Sequence, residues 1–292
     1  MSETHGSYYL PKPTHWPIIG SFALFFLLGG LANFLHGHWI GPYMMGLGFI
    51  LFLTLLFGWF STVIKENRAG LLSSPQVEHS FRWGMVWFIF TEVMFFATFF
   101  GALFYARLVS VPQLAGEGSG WWTHILLWPA FQHTWPVYTN PNPEIFQGPK
   151  SVMETWGIPA INTGLLLSSG ATITVVHWAI LKQNYFLQKL FQVFTILLGL
   201  AFLCMQINEY SIAYMEKGLT LGSGIFGTTF FILTGFHMFH VTVGTIMLIV
   251  ILWRLFKKDF GPGNLFGFEA VSWYWHFVDV VWLFLFVFVY WV

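Results

Sequence analysis

His276 and Asp279 stand three residues apart in an otherwise apolar stretch, FGFEAVSWYWHFVDVVWLFLFVFVYWV, from Phe266 to Val292. On a helix, residues at i and i+3 share a face. An ionisable group inside a bilayer costs at least ~2.5–3.5 kcal/mol, so it faces a protein interior or a water-filled path rather than lipid. Glu92, in FIFTEVMFF, sets the same problem. It lies about twelve residues into its apolar run, hence ~18 Å deep at a rise of 1.5 Å per residue, near the middle of a membrane. A carboxyl group there either carries its proton or is paired within a helix bundle. It is then a structural hydrogen-bonding acid or a proton-linked site, and the residues leave both open. His237 and His240, in GFHMFHV, are again i and i+3 at mid-depth. A metal would need further ligands, and His276, Asp279 or Glu209 could supply them only if the helices pack suitably. Otherwise the two histidines hydrogen-bond between helices or meet a lipid headgroup or water.

The elements that must position these groups are membrane helices. The chain is 56% hydrophobic and only 8% charged, with mean hydropathy +0.67; soluble domains carry about 25% charged residues. Zero formal net charge argues against a nucleic-acid partner. Apolar runs of about 20 residues cross a ~30 Å core. They fall at 16–36, 40–64, 80–108, 158–181, 189–214, 225–256 and 268–292, which predicts an all-α integral membrane protein with seven transmembrane helices. Residues 1–15 are polar and the first apolar run is long, so a first membrane helix is expected rather than a cleaved signal. Gly37 to Trp39 allow only a tight turn between the first two helices. The organisation expected is a tail and two-helix hairpin over 1–64, a linker over 65–79, and a five-helix bundle over 80–292 with an extended outer loop at 109–157. Six prolines between Pro112 and Pro149 forbid one continuous helix through that loop. Its piece Trp121–Phe131 is too short to span and suits the interface.

Nine of the twelve Lys and Arg residues (Lys12, Lys65, Arg68, Arg82, Lys182, Lys189, Arg254, Lys257 and Lys258) fall at one set of helix ends; Arg107, Lys150 and Lys217 fall at the other. The bias places the N-terminus in the cytoplasm or matrix and the C-terminus outside. At the basic ends, Trp59 and Phe60 form an aromatic ledge before Lys65 and Glu66, while Arg254 and Lys257 sit at matching depth. Such a rim either holds an anionic phosphate or anchors by snorkelling. The single cysteine, Cys204, excludes a disulfide framework and is expected to pack as a small apolar residue. Gly222 to Gly227 match GxGxxG but follow no strand, so a dinucleotide site fails its structural context. The small residues of Leu167–Thr172 should let helices approach closely.

Read in order, the motifs resemble subunit III of the haem-copper cytochrome c oxidases. They are WP at Trp16–Pro17, VIKE at Val63–Glu66, RWGM at Arg82–Met85, FIFTEVMFF around Glu92, GTTFF at Gly227–Phe231, TGFHMFHV at Thr234–Val241 and FGFEAVSWYWHFVDVVWLFLF at Phe266–Phe286. The resemblance implies two plus five helices around a lipid-binding cleft, with bound phospholipids and with haem and copper confined to partner subunits. It implies direct contact with subunit I, assembly with subunit II and other oxidase subunits, and cytochrome c as donor to the complex. The subunit would stabilise subunit I and support proton uptake. Glu92 matches the family's buried glutamate, and His237 and His240 its paired histidines. Trp59, Lys65, Glu66 and Arg254 match its lipid-contacting positions. Phe60 replaces a second tryptophan, and Lys65 replaces an arginine, which removes bidentate phosphate contact. The long 109–157 loop favours a bacterial plasma membrane over the mitochondrial inner membrane. The 16–64 hairpin favours cytochrome c over quinol as donor. An independent channel or transporter remains the reading from a different class.

Overall fold

A computed structural model describes residues 13–72, 74–261 and 263–291. Lys12 of the charge count, the tail to which it belongs, and Val292 lie outside the described residues. Among the described residues, seven helices are long and apolar enough to cross a membrane. They are α1 (Trp16–Leu35), α2 (Gly41–Arg68), α3 (Pro75–Tyr105), α6 (Ile158–Leu181), α7 (Tyr185–Met215), α8 (Ile225–Phe256) and α9 (Phe266–Leu285). Two short helices, α4 (Val111–Leu114) and α5 (Trp121–Leu127), interrupt the 109–157 segment, and α9 continues as a π-helical turn over Phe286–Trp291. Among the described residues there is no strand, only an isolated bridge between Gly261 and Asn264.

The helix starts follow local chemistry. Pro17, Pro42 and Pro159 occupy first turns, where a missing N–H costs nothing. Asn184 caps α7, its side chain accepting from the Leu187 N–H at 3.2 Å. Gly37, at φ +74°, lets the chain leave α1. Two linkers are shorter than their sequence suggests. α2 runs on to Arg68 and α3 begins at Pro75, so most of 65–79 is helical. The connection expected over 182–188 shrinks to Lys182–Asn184 because the Asn184 cap starts α7 early.

The chain divides into two compact units, one ending at Phe81 and the other beginning at Arg82. In the first, α1 and α2 pack backbone to backbone. A Cβ on Gly48 would stand 2.6 Å from the Leu27 nitrogen, and one on Gly41 2.5 Å from that of Phe34. Close approach through small residues is how helices associate where lipid removes the hydrophobic drive. Phe22, Phe25, Leu28 and Phe57 point outward, a face suited to hydrocarbon rather than water.

The second unit has a true interior. Trp275 of α9 is fully buried in a slot cleared by Gly199 of α7 and Gly244 of α8, where an added Cβ would come within 2.9 Å of its ring. Its Nε1–H donates to Ser169 Oγ of α6 at 2.9 Å. One side chain thus holds four helices. Trp282 Nε1–H donates to Thr163 Oγ1 (2.9 Å), Gln192 to the Leu248 carbonyl (3.0 Å), and the Thr172 and Thr195 hydroxyls pair at 2.8 Å. The expectation for Cys204 fails: it is exposed on α7 because Phe202 and Gln206 take the inward positions beside it.

Candidate functional site

Glu92 and His240 meet within the second unit. Glu92 Oε2 lies 2.9 Å from His240 Nε2, joining α3 to α8 across 148 positions of sequence. The carboxyl side chain is 22% exposed and the imidazole 8%. Phe96 and Tyr274 flank the imidazole, with ring centroids at 5.0 and 6.4 Å, and both are buried. The other ring nitrogen, Nδ1, lies 2.6 Å from the Phe236 carbonyl of its own helix. A carbonyl only accepts, so Nδ1 carries the hydrogen and donates. The Glu92–His240 contact then holds one proton between its two ends. Whether that proton rests on oxygen or nitrogen, the pair as a unit is electrically neutral, which is the form a low-dielectric site accepts at least cost.

His237, one turn away, is fully buried and donates through Nε2 to the Val278 carbonyl of α9 at 3.1 Å. It joins helices instead of meeting His240's partner. His276 and Asp279 do share a face, but the Nδ1–Oδ2 separation of 3.8 Å exceeds a hydrogen bond. Asp279 is buried against α6, where Gly170 makes room for it: a Cβ there would stand 2.5 Å from Oδ2. Among the described residues no three His, Cys, Asp or Glu side chains stand close enough to hold a metal ion. Both nitrogens of His240 are engaged by protein atoms, so it does not fit as a haem or copper ligand; His237 bonds through Nε2, and its Nδ1 makes no hydrogen bond.

At the end of the unit holding the α6–α7 turn, the arrangement is ionic. Arg82 pairs with Glu269, whose other oxygen is 3.6 Å from His177 Nε2. The Arg82 guanidinium lies 5.7 Å from the Phe266 ring centroid and 5.9 Å from that of Trp273. Arg254 is buried, its Nε donating to Asp259 Oδ2 at 3.2 Å and its guanidinium 4.4 Å from the centre of the Phe260 ring. Lys257 beside it is exposed. In the first unit Trp59 and Phe60 stack at 6.1 Å and both are exposed, as is Lys65, while Glu66 is half-buried. The Arg82–Glu269–His177 group was not singled out from the sequence. Its signal is two opposite charges at the expected basic end of neighbouring spans.

An all-α, multi-pass membrane protein is thus defined, with a proton-sharing acid–imidazole pair in an aromatic surround and tryptophan-tied helices. The chain belongs to the cytochrome c oxidase subunit III family, whose model matches residues 6–126 and 146–292. It is 36% identical over 292 residues to a cytochrome c oxidase subunit 3 of Petromyzon marinus, covering 100% of this chain and 99% of that one. Identity is 36% over 293 residues to the Cyprinus carpio protein of the same name, with 100% and 99% covered. For that of Neotragus moschatus it is 35% over 291 residues, with 99% and 98% covered. Membership makes the chain a subunit of a respiratory oxidoreductase complex, with other oxidase subunits as partners.

Proposed function

We propose that the chain is the non-redox subunit III of a proton-pumping cytochrome c oxidase, which reduces O2 to water, and that it stabilises subunit I and supports proton uptake there. Carrying this reading is the Glu92–His240 pair: a neutral unit with one shared proton, partly exposed at mid-membrane depth. Such a pair can tune or buffer a neighbouring proton route. Subunit II and cytochrome c complete the assembly. The α1–α2 hairpin supports cytochrome c rather than quinol as donor. A bacterial plasma membrane, with the N-terminus cytoplasmic and the C-terminus periplasmic, fits both the charge bias and the segment 127–145, which falls outside the family match. Phospholipid headgroups are the proposed ligands of the two basic rims: Trp59, Phe60, Lys65 and Glu66 in one unit and exposed Lys257 in the other, where Arg254, buried against Asp259 and Phe260, braces the rim from within.

Affinity purification of the tagged chain from mild detergent, followed by an optical spectrum, tests the core of this reading. Haem bands and a cytochrome c oxidising activity are expected. A haem-free homo-oligomer would support the channel or transporter instead, and preference for quinol would reassign the donor.

A further inference from the structure

A second polar cluster lies at the opposite end of the second unit from the Arg82–Glu269 pair. Glu209 of α7 sits six residues before the helix end at Met215, about 9 Å along its axis. It is fully buried, and among the described residues it forms no ion pair. Gln206, one turn earlier, is equally buried and accepts from the Asn162 amide of α6 at 3.3 Å. The Tyr290 hydroxyl, from the π-helical turn, lies beside both Glu209 and Gln206. Yet both oxygens of Glu209, Gln206 Nε2, Asn162 Oδ1 and the Tyr290 hydroxyl make no hydrogen bond of good geometry to protein. Five polar atoms on four neighbouring buried side chains are therefore close but unsatisfied, a condition native interiors rarely tolerate.

Tyr290 also lines a partly enclosed cavity of about 140 Å³. Trp135, Met153 and Phe226 line it as well. A water molecule takes about 30 Å³ of liquid, so several fit. Trp135 belongs to the segment outside the family match, and its ring meets that of Phe226 edge-on at 5.7 Å. The Thr155 hydroxyl donates to the Tyr290 carbonyl at 2.6 Å and fixes the wall.

We propose that Asn162, Gln206, Glu209 and Tyr290 form an internal water-binding site, filled from the cavity behind Trp135 and Tyr290. The mixture of atoms selects the ligand. Glu209 and Asn162 offer acceptors, whereas the Gln206 amide offers donors, and Tyr290 can act as either. A bare cation cannot accept the Gln206 hydrogens. Water both donates and accepts, and typically makes about three hydrogen bonds to otherwise unsatisfied buried groups. The site gives the chain a membrane-embedded carboxyl group besides Glu92 and Asp279, with water at its oxygens and an access cavity of its own.

The test is radiolytic footprinting of the intact oxidase complex, with rapid mixing into heavy-oxygen water before the pulse. Hydroxyl radicals formed from a bound water label the side chains that touch it. Tyr290 should be labelled well above Trp275, a buried and intrinsically more reactive ring whose N–H is already bonded to protein. The heavy isotope should enter the Tyr290 product more slowly than it enters exposed Trp156. Glu209→Leu should bring Tyr290 labelling down to the Trp275 level, whereas Glu209→Gln, which keeps donors and acceptors, should preserve it. Tyr290 labelling no greater than that of Trp275 in the parent complex would overturn the proposal, and this comparison needs no variant to fold. Full labelling retained in an assembled Glu209→Leu complex would also overturn it, by placing the water at the cavity mouth only.

Discussion

Replacing Glu92 separates a hydrogen-bonding acid from an obligatory proton carrier. The structure fixes what each replacement leaves behind. In Glu92→Gln, the amide N–H can donate to His240 Nε2 across the same 2.9 Å gap, while Nδ1 keeps its bond to Phe236. One hydrogen bond is exchanged for another of similar strength. The stability change should stay below about 1 kcal/mol. Turnover should fall within about threefold of the parent, a transition-state change below ~1 kcal/mol. Glu92→Leu leaves His240 Nε2 facing Phe95, Phe96 and Tyr274 with its carboxyl partner gone. Loss of a partner for a largely buried polar atom costs about 1–3 kcal/mol. Oxygen uptake and proton release per electron in reconstituted vesicles measure the first effect; thermal dissociation of the complex measures the second. A drop of about tenfold or more in Glu92→Gln turnover with assembly intact would refute the modulatory role. Equal stability of the Leu and Gln variants would refute the pair itself.

Three further outcomes follow from other parts of the fold. Gly170→Ala drives a Cβ to 2.5 Å from Asp279 Oδ2 and should destabilise by about 1–3 kcal/mol in thermal melts, whereas Gly164→Ala on the same helix meets nothing within 4 Å and should be neutral or mildly stabilising. In a Cys204→Ser background, single cysteines at 70, 183 and 258 should resist impermeant thiol reagents in intact cells; labelling at two of them from outside would reverse the orientation. Combined Lys65→Ala and Lys257→Ala, both at exposed positions, should lower anionic lipid retained in native mass spectra. Arg254→Ala should instead destabilise by about 3–5 kcal/mol, because it removes the guanidinium held by Asp259 in a buried setting.

The spans were legible because hydrocarbon imposes length and composition on every one of them. The sites were legible as residue types: Glu92, His240, Asp279 and Glu209 stand out simply because apolar sequence surrounds them. Their pairing was not. Glu92 and His240 are 148 positions apart, and no periodicity within either helix says which faces meet. Cys204 shows the same limit, since in membrane helices the lipid-facing and core-facing sides are both apolar. Arg254 reads as a surface anchor in sequence, yet the turn that brings Asp259 and Phe260 back onto it makes it an interior group.

Where the polar groups lie explains why so apolar a chain adopts one arrangement. In the second unit, bulk hydrophobicity cannot choose between rotations of a helix, because lipid receives a phenylalanine as readily as the core does. The bonds that cross between helices can choose. Trp275 to Ser169, Trp282 to Thr163, Gln192 to Leu248, His237 to Val278 and the Tyr210–Thr234 hydroxyl pair at 2.7 Å each fix one helix face against another. Turning α9 by one residue would break three of them at once and push Asp279 away from the gap at Gly170. The Glu92–His240 contact extends the same logic to α3. With Nδ1 held at the Phe236 carbonyl and the imidazole set between Phe96 and Tyr274, only the carboxyl side of the ring is left to approach. The hydrogen bond there is therefore positioned by the packing of three helices.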